Sequence, residues 1–73
     1  MEDDNGILAR VPGQFVADGI ALLPGPDTAE DHVYEAVVDA GYVGVVRLFA
    51  RRQYARHGRE DHWFWSVYRA EPI

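Results

Sequence analysis

Residues 27–40, with the sequence DTAEDHVYEAVVDA, constrain the fold of this chain more than any other stretch. Their apolar positions recur at the spacing of an amphipathic helix, which predicts one helix over the whole stretch. The residues predicted to face the core are Ala29, Val33, Ala36, Val37 and Ala40. We expect Asp27 or Thr28 to cap the helix start, with Glu30 or Asp31 as the capping-box partner, and Gly41 to follow the helix end.

The other side of this predicted helix carries a row of acids. They follow one another at intervals of four residues: Asp27, Asp31, Glu35 and Asp39. Like charges at this spacing repel by roughly 0.2–0.5 kcal/mol per pair on a solvated helix, and the stretch has no Lys or Arg. Acids in the first turn suit the helix dipole, whereas Asp39 would lie in the unfavourable last turn.

Tyr34 and Val38 lie between the acids on this predicted helix and are expected to be exposed. Two exposed apolar side chains beside Glu35 and Asp39 indicate a contact patch with an aromatic anchor. The alternative is that Tyr34 and Val38 pack beneath the N-terminal segment or across a dimer.

Two segments flank the predicted helix and are interpreted as hairpins. Pro12-Gly13 marks a turn between strands at residues 7–11 and 14–17, and residues 20–23 form or continue a strand before Pro24-Gly25-Pro26 breaks the chain. Residues 42–54 and 62–70 are rich in β-branched and aromatic residues, with residues 55–59 as the hairpin tip and Gly58 at a positive φ. The predicted fold class is α+β: a small antiparallel sheet with one amphipathic helix packed on one face, in the order ββαββ.

The register of the second hairpin follows from a two-residue loop at His57-Gly58. Arg52 then pairs with Trp63, and Ala50 with Trp65. The predicted core face holds Val46, Leu48, Ala50, Trp65 and Val67, with Arg52 and Arg69 on the same side. The opposite, open face is predicted to hold Arg47, Phe49, Arg51, Phe64 and Tyr68.

Size and composition place the chain among small folded proteins. A length of 73 residues allows a single domain, residues 1–73, with the acidic residues 1–6 as a flexible lead-in. No cysteine is present, which fits a reducing cytosol, and no apolar run approaches the ~18–20 residues of a membrane span. The acidic N-terminus is also unlike a signal peptide. We expect a cytoplasmic protein.

The sequence contains few residues that could carry out catalysis. Cys and Lys are absent, and Ser66 and His62 share a strand face without an orienting acid at a telling spacing. The histidines and acids lack metal-ligand spacing, and no glycine loop matches a phosphate-binding pattern. The sequence therefore predicts no enzyme, no cofactor and no metal.

The charge distribution favours a binding role. The net charge is −5, but residues 1–39 hold nine acids against Arg10, whereas residues 40–73 hold six arginines against three acids. One hypothesis is a single-stranded nucleic-acid-binding module that uses the basic-aromatic sheet face. Its residues would be Arg47, Phe49, Arg51, Phe64 and Tyr68, with Arg56 and Arg59 near the hairpin tip. Cross-strand aromatic–arginine packing explains the same residues without a ligand.

The leading hypothesis uses the acidic row. Carboxylates about 6 Å apart along a helix can occupy a protein groove built for nucleic acid. The partner-binding residues would be Asp27, Asp31, Tyr34, Glu35, Val38 and Asp39. In size, charge and this row, the chain resembles the small phage-encoded anti-CRISPR inhibitors, several of which are DNA mimics.

That resemblance implies a non-enzymatic inhibitor in the cytoplasm of a bacterial host. Its partner would be a basic host protein, such as a nucleic-acid-binding subunit of a CRISPR complex. Inhibitors of restriction enzymes fit equally well. A third hypothesis is a homodimeric structural protein whose basic sheet docks on the acidic helix of another copy.

Overall fold

Two helices precede three strands along the chain. The computed structural model describes the backbone of residues 4–57 and 60–73 and the side chains of residues 6–56 and 61–73. The elements are α1 (Asp4–Leu8), α2 (Gly13–Ala21), β1 (Tyr34–Asp39), β2 (Val45–His57) and β3 (Glu60–Pro72). A one-turn 3₁₀ helix, Gly41–Val43, joins β1 to β2. The strands form one antiparallel sheet in the order β1-β2-β3.

The predicted order ββαββ is therefore wrong, and its central helix does not exist. Residues 27–33 form turns and bends, and residues 34–39 form β1. Along β1, burial alternates: Ala36 and Val38 face the core, whereas Glu35, Val37 and Asp39 face outward. A spacing of four residues returns to the same face of a strand as well as of a helix. The spacing of the acids is thus equally compatible with the strand that forms. The apolar repeat that predicted the helix is not, since Val33 and Val37, which it places in the core, are 39% and 48% exposed.

The N-terminal half is helical where strands were predicted. Residues 7–11, 14–17 and 20–23 contribute to α1, α2 and their connections, and Asp4–Leu8 includes part of the predicted flexible lead-in. Pro12 is the N-cap of α2, with φ −59° and ψ 144°, so Pro12-Gly13 separates two helices instead of two strands. Proline is tolerated at a helix start because the first N–H groups have no partner within the helix.

Both helices pack on one face of the sheet. Val46 and Leu48 of β2 are 0% and 1% exposed and form the centre of this core. Val38 of β1 and Ala70 of β3 flank them. From the helices, the core receives Ile7, Leu8, Phe15 and Val16. The opposite face, called the open face below, is not covered by any element among the described residues.

Gly19 sets how closely α2 approaches the sheet. A Cβ atom at this position would lie 2.7 Å from Leu48 Cδ1 and 3.3 Å from Val38 Cγ1. Real Cβ atoms do not come this near to carbon, and Leu48 is too well buried to move aside freely. The helix can therefore rest on β2 only because residue 19 has no side chain.

The β2–β3 hairpin has its predicted core face, apart from Arg69, but a shifted register. Arg52 pairs with Trp65 and Ala50 with Val67, so each partner lies two positions further along β3 than predicted. Because side chains alternate with a period of two, this shift leaves the core face unchanged. Beyond Ala50, a β-bulge changes the pairing, and Phe49 faces Arg69. The predicted tip glycine, Gly58, lies outside the described residues.

The hairpin extends well past β1. Because β1 pairs only with the first six residues of β2, residues 51–57 and 60–66 project as a two-stranded arm. The chain measures 40 × 24 × 21 Å, with a radius of gyration of 13.0 Å. A compact chain of this length would have a radius of gyration of about 11 Å. The projecting arm accounts for the difference.

Two glycines of α2 test the close helix–sheet contact. Gly19→Ala gains up to ~1 kcal/mol in helix propensity but overpacks the core, which costs about 1–3 kcal/mol. We expect a net loss of about 1 kcal/mol in the free energy of unfolding, measured by urea denaturation. Gly13→Ala is the matched control because nothing lies within 4 Å of its added Cβ atom. It should be neutral or stabilising, and equal stability of the two variants would contradict the close contact.

Candidate functional site

The acids of the predicted row are dispersed in the structure. Asp27 and Asp31 lie in the loop before β1, whereas Glu35 and Asp39 lie on the open face. Asp31 Oδ1 is 4.0 Å from Arg52 Nε, and Glu35 Oε1 is 3.4 Å from Arg47 Nε. Asp39 Oδ1 accepts a hydrogen bond of 3.1 Å from the Gly41 N–H. The four acids do not form a continuous row, so the geometric argument that such a row fits a protein groove built for nucleic acid no longer applies.

Tyr34 and Val38 do not form an exposed patch. Val38 is 8% exposed and packs in the core beneath the helices, as the alternative interpretation predicted. Tyr34 is half-buried against Trp65, with ring centroids 4.9 Å apart. Its hydroxyl accepts a hydrogen bond of 3.0 Å from the Glu30 N–H. Both side chains point inward because they share a strand face with buried Ala36.

The loop before β1 is fastened to the core side of the arm. Trp65 Nε1 donates a hydrogen bond of 2.9 Å to the Pro24 carbonyl, and Arg52 Nη1 donates one of 3.2 Å to the Pro26 carbonyl. Ala29 packs in a small second core with Ala50 and Trp65. We call residues 24–33 the latch loop. Its proline carbonyls accept hydrogen bonds from side chains instead of from a sheet neighbour.

Arg52 is the centre of this attachment. Its guanidinium carbon lies 4.1 Å from the centroid of the Trp63 ring. Its Nε is buried and has no hydrogen-bond partner in the described part of the chain, since Asp31 at 4.0 Å is too distant for a hydrogen bond. The pair is therefore an ionic contact only. Arg52 is a structural residue that joins the latch loop to the arm.

The outer arm carries a polar-aromatic cluster on the same side. The rings of Tyr54 and Trp63 meet edge to face at 5.0 Å, and Arg56 Nε is 3.3 Å from Asp61 Oδ1. A hydrogen bond to Asp61, then desolvation and the negative charge of Asp61, raise the pKa of Tyr54 above 10.0. A hydrogen bond with Arg56 acts in the opposite direction. The predicted nucleic-acid residue Arg56 thus lies on the face opposite the open one.

The open face carries balanced charges joined by a carboxylate bridge. Among the described side chains, its charged residues are Glu35, Asp39, Arg47, Arg51, Arg69 and Glu71. Arg47 Nη1 lies 3.2 Å from Glu71 Oε1, and Arg69 Nη2 lies 3.0 Å from Glu71 Oε2. The Arg69 guanidinium also stands 4.7 Å from the Phe49 ring centroid. Such exposed pairs contribute about 0–1 kcal/mol each, so they shape the surface more than they stabilise the fold.

Exposed apolar side chains stand among these charges. Val37 is 48% exposed, Val45 45% and Phe64 41%. Tyr68, the extra residue of the bulge, is 40% exposed. Of the residues predicted for nucleic-acid binding, Arg47, Phe49, Arg51 and Phe64 do share the open face; Arg59 lies outside the described residues. The structure thus defines one candidate surface, the open face, with apolar and charged groups interleaved.

The described residues offer little sign of a catalytic or metal centre. Ser66 and His62 share the open face but lie about 13 Å apart along β3, too far for a hydrogen bond. Residues 4–57 and 60–73 contain no group of three or more potential metal ligands, and no pocket is found there. Neither helix in this part of the chain has the length and apolar character needed to cross a bilayer.

No protein family, curated protein or solved structure matches the chain significantly. The resemblance to anti-CRISPR inhibitors therefore stays a prediction. The function of this chain has to be argued from its own surfaces.

Sequence reasoning missed the carboxylate bridge. Arg69 was predicted on the core side, and no residue type near Tyr68 signals the bulge that turns Arg69 to the open face. Once the bulge is known, Glu71 falls beside Arg47, with which it pairs in register. The alternation along β1 is a signal that was available, since Glu35, Val37 and Asp39 alternate with apolar residues.

Two neighbouring arginines test the latch loop. Arg52→Met removes the hydrogen bond to Pro26 and the stacking on Trp63, and we expect it to lower the free energy of unfolding by about 1–2 kcal/mol. Amide hydrogen exchange of residues 24–33 should also become faster. Arg51→Met, on the opposite face of β2, should change stability by less than about 0.5 kcal/mol. Equal effects of the two variants would show that Arg52 does not fasten the loop.

Proposed function

We propose that the protein is a non-catalytic binding protein whose working surface is the open face and whose partner is another protein chain. The observation that carries this proposal is the set of exposed apolar side chains on a sheet face without a covering element among the described residues. Val37, Val45 and Phe64 stand there beside paired charges. An apolar centre within a polar rim is typical of protein–protein interfaces.

The charges on this face favour a protein over a nucleic acid. Arg47 and Arg69 are occupied by Glu71, and Arg47 also pairs with Glu35. Arg51 is left as the open-face arginine without an ion pair to another described residue. Nucleic-acid binders need several cations free to meet phosphates, and a net charge of −5 repels a polyanion at long range. The single-stranded nucleic-acid module is therefore the weaker candidate.

The narrower hypothesis of a DNA-mimicking inhibitor now rests on size and net charge alone. Its acids lie in two separate places, the latch loop and the open face, and Glu35 on the open face is already paired with Arg47. We retain the broader class, a small non-enzymatic protein that acts by occupying another protein. We also place it in the cytoplasm of a bacterial host, since a chain without cysteine suits a reducing compartment.

A photo-crosslinker tests which face meets the partner. Benzoylphenylalanine at position 64 should form covalent adducts with protein when the chain is irradiated inside the cells that express it. The same group at position 22 is the control, because Leu22 is 67% exposed at the end of α2. We expect adducts from position 64 and none from position 22. Equal yields, or adducts from position 22 alone, would contradict the open face as the working surface.

Binding to nucleic acid is tested separately by the fluorescence anisotropy of labelled single-stranded oligonucleotides. Trp63 and Trp65 both lie on the core side of the arm, so their own emission is a poor reporter of the open face. We expect no saturable rise in anisotropy at low salt, where electrostatic binding is strongest. A saturable rise that Arg51→Glu abolishes would favour the nucleic-acid module instead.

A further inference from the structure

We propose that the protein chain that covers the open face is a second copy of this chain, with the two sheets stacked face to face. This inference rests on the proposed function, which assigns a protein partner to that face. It adds the identity of the partner. The resulting dimer would have two sheets in its centre and the helices of both copies outside.

Charge complementarity favours a second copy. Among the described side chains, the open face carries three cations, Arg47, Arg51 and Arg69, and three anions, Glu35, Asp39 and Glu71. These six charges sum to zero, so the net charge of −5 comes from the remaining residues of the chain. Two copies that meet through the acidic latch loop or helix layer bring negative charges together, whereas the described charges of two open faces meet without net repulsion.

Within the face, one cation and one anion lack an ion pair in the described part of their own chain. These are Arg51, at the start of the arm, and Asp39, at the end of β1. A symmetric dimer presents each such group to the same surface of its neighbour, so an unpaired cation and an unpaired anion on one face are mutually complementary between copies. A uniformly basic or uniformly acidic partner would satisfy only one of the two.

The size of the face matches the requirement of a stable dimer. β2 and β3 have 13 residues each, which corresponds to a length of roughly 40 Å at the rise of a strand. With strands about 4.8 Å apart, the face covers on the order of 500 Å² in projection, and its accessible area is larger because side chains stand out from it. A standard interface buries about 800 Å² per partner, which is within reach of this face.

The total exposed surface area also favours association of two copies. The chain exposes 4975 Å² and has a mass of 8.2 kDa. A compact monomer of this mass would expose about 4,500 Å². The excess fits a chain whose open face and arm become covered on association. Burial of Val37 and Phe64, near opposite ends of the face, would supply the apolar contribution.

Sedimentation equilibrium of the purified full chain tests the proposal. We expect the dimer to predominate as the protein concentration is raised to about 100 µM. This concentration exceeds the weakest dissociation constants typical of interfaces of this size. The double variant Val37→Glu, Phe64→Glu should weaken self-association at least about tenfold, because it places charges at two apolar contacts. Its circular dichroism spectrum should remain that of the wild type.

The matched control adds the same two charges elsewhere. Ala17→Glu, Leu22→Glu changes two exposed positions of the helix layer and should leave self-association unchanged. A second measurement does not depend on the double variant folding: the crosslinker at position 64 should join two copies in purified protein. A monomeric wild type, or a dimer that the open-face variant does not weaken, would overturn the proposal.

The crosslinking results also separate this inference from the proposed function. A monomeric wild type whose position 64 captures a different protein in cells overturns the second copy but leaves the open face as a binding surface. Absence of any protein adduct, in purified protein and in cells, overturns both.

Discussion

The contact between α2 and β2 at Gly19 and Leu48 is the constraint on which the rest of the structure depends. A chain of 73 residues has only enough apolar side chains for one thin core, and two short helices can cover only one side of a three-stranded sheet. The close approach at Gly19 concentrates that core on Val46 and Leu48, which are almost fully buried. Because the helices share one side, the other side of the sheet lacks a cover from the described helices. The open face is thus a consequence of how the core is built.

The latch loop stabilises the arm, which extends beyond β1. Since β1 ends its pairing at the first half of β2, the arm would have only two strands, and an isolated two-stranded hairpin is marginally stable in water. Trp65 and Arg52 fasten the latch loop across the core side of the arm through the carbonyls of Pro24 and Pro26. A proline-rich segment suits this role because it cannot supply a regular strand but keeps its carbonyl acceptors. The loop therefore serves as the cover that a third strand or a helix would otherwise provide.

The success of sequence reasoning differed between the two halves of the chain. In the β2–β3 hairpin, the alternation of apolar residues predicted the buried face correctly, with Val46, Leu48, Ala50 and Trp65 inward. Even a register error of two positions did no harm there, since it preserves the faces. In residues 27–40, by contrast, the four-residue spacing of the acids is compatible with both helix and strand, and only the spacing of the apolar residues favours a helix. Tyr34 and the pair Val37-Val38 favour a strand, and this propensity outweighs the apolar spacing.

The prediction for the N-terminal half was wrong for a different reason. Pro12-Gly13 was interpreted as a hairpin turn, but the same dipeptide can precede a helix, because a helix start tolerates proline. The apolar residues Phe15, Val16, Gly19 and Ile20 recur at helical spacing, and this pattern decides between the two meanings. For the candidate site, the sequence grouped Arg47, Phe49, Arg51 and Phe64 on one face, but it did not bring the β1 residues or Arg69 and Glu71 to that face. The sequence does not predict the bulge at Tyr68, because the extra residue depends on how β3 pairs with Phe49 and Ala50 across the sheet.

The distribution of charge connects these features to function. Among the described side chains of the open face, acids and arginines are equal in number and mostly paired, while the surplus of acid lies on the latch loop, the helix layer and the N-terminus. A net charge away from zero keeps a small protein soluble, but only a locally neutral face lets it associate with another copy. Had the open face carried the surplus, self-association would be opposed. A free acidic surface and a neutral sheet face are therefore compatible with two separate roles, one in solubility and one in binding.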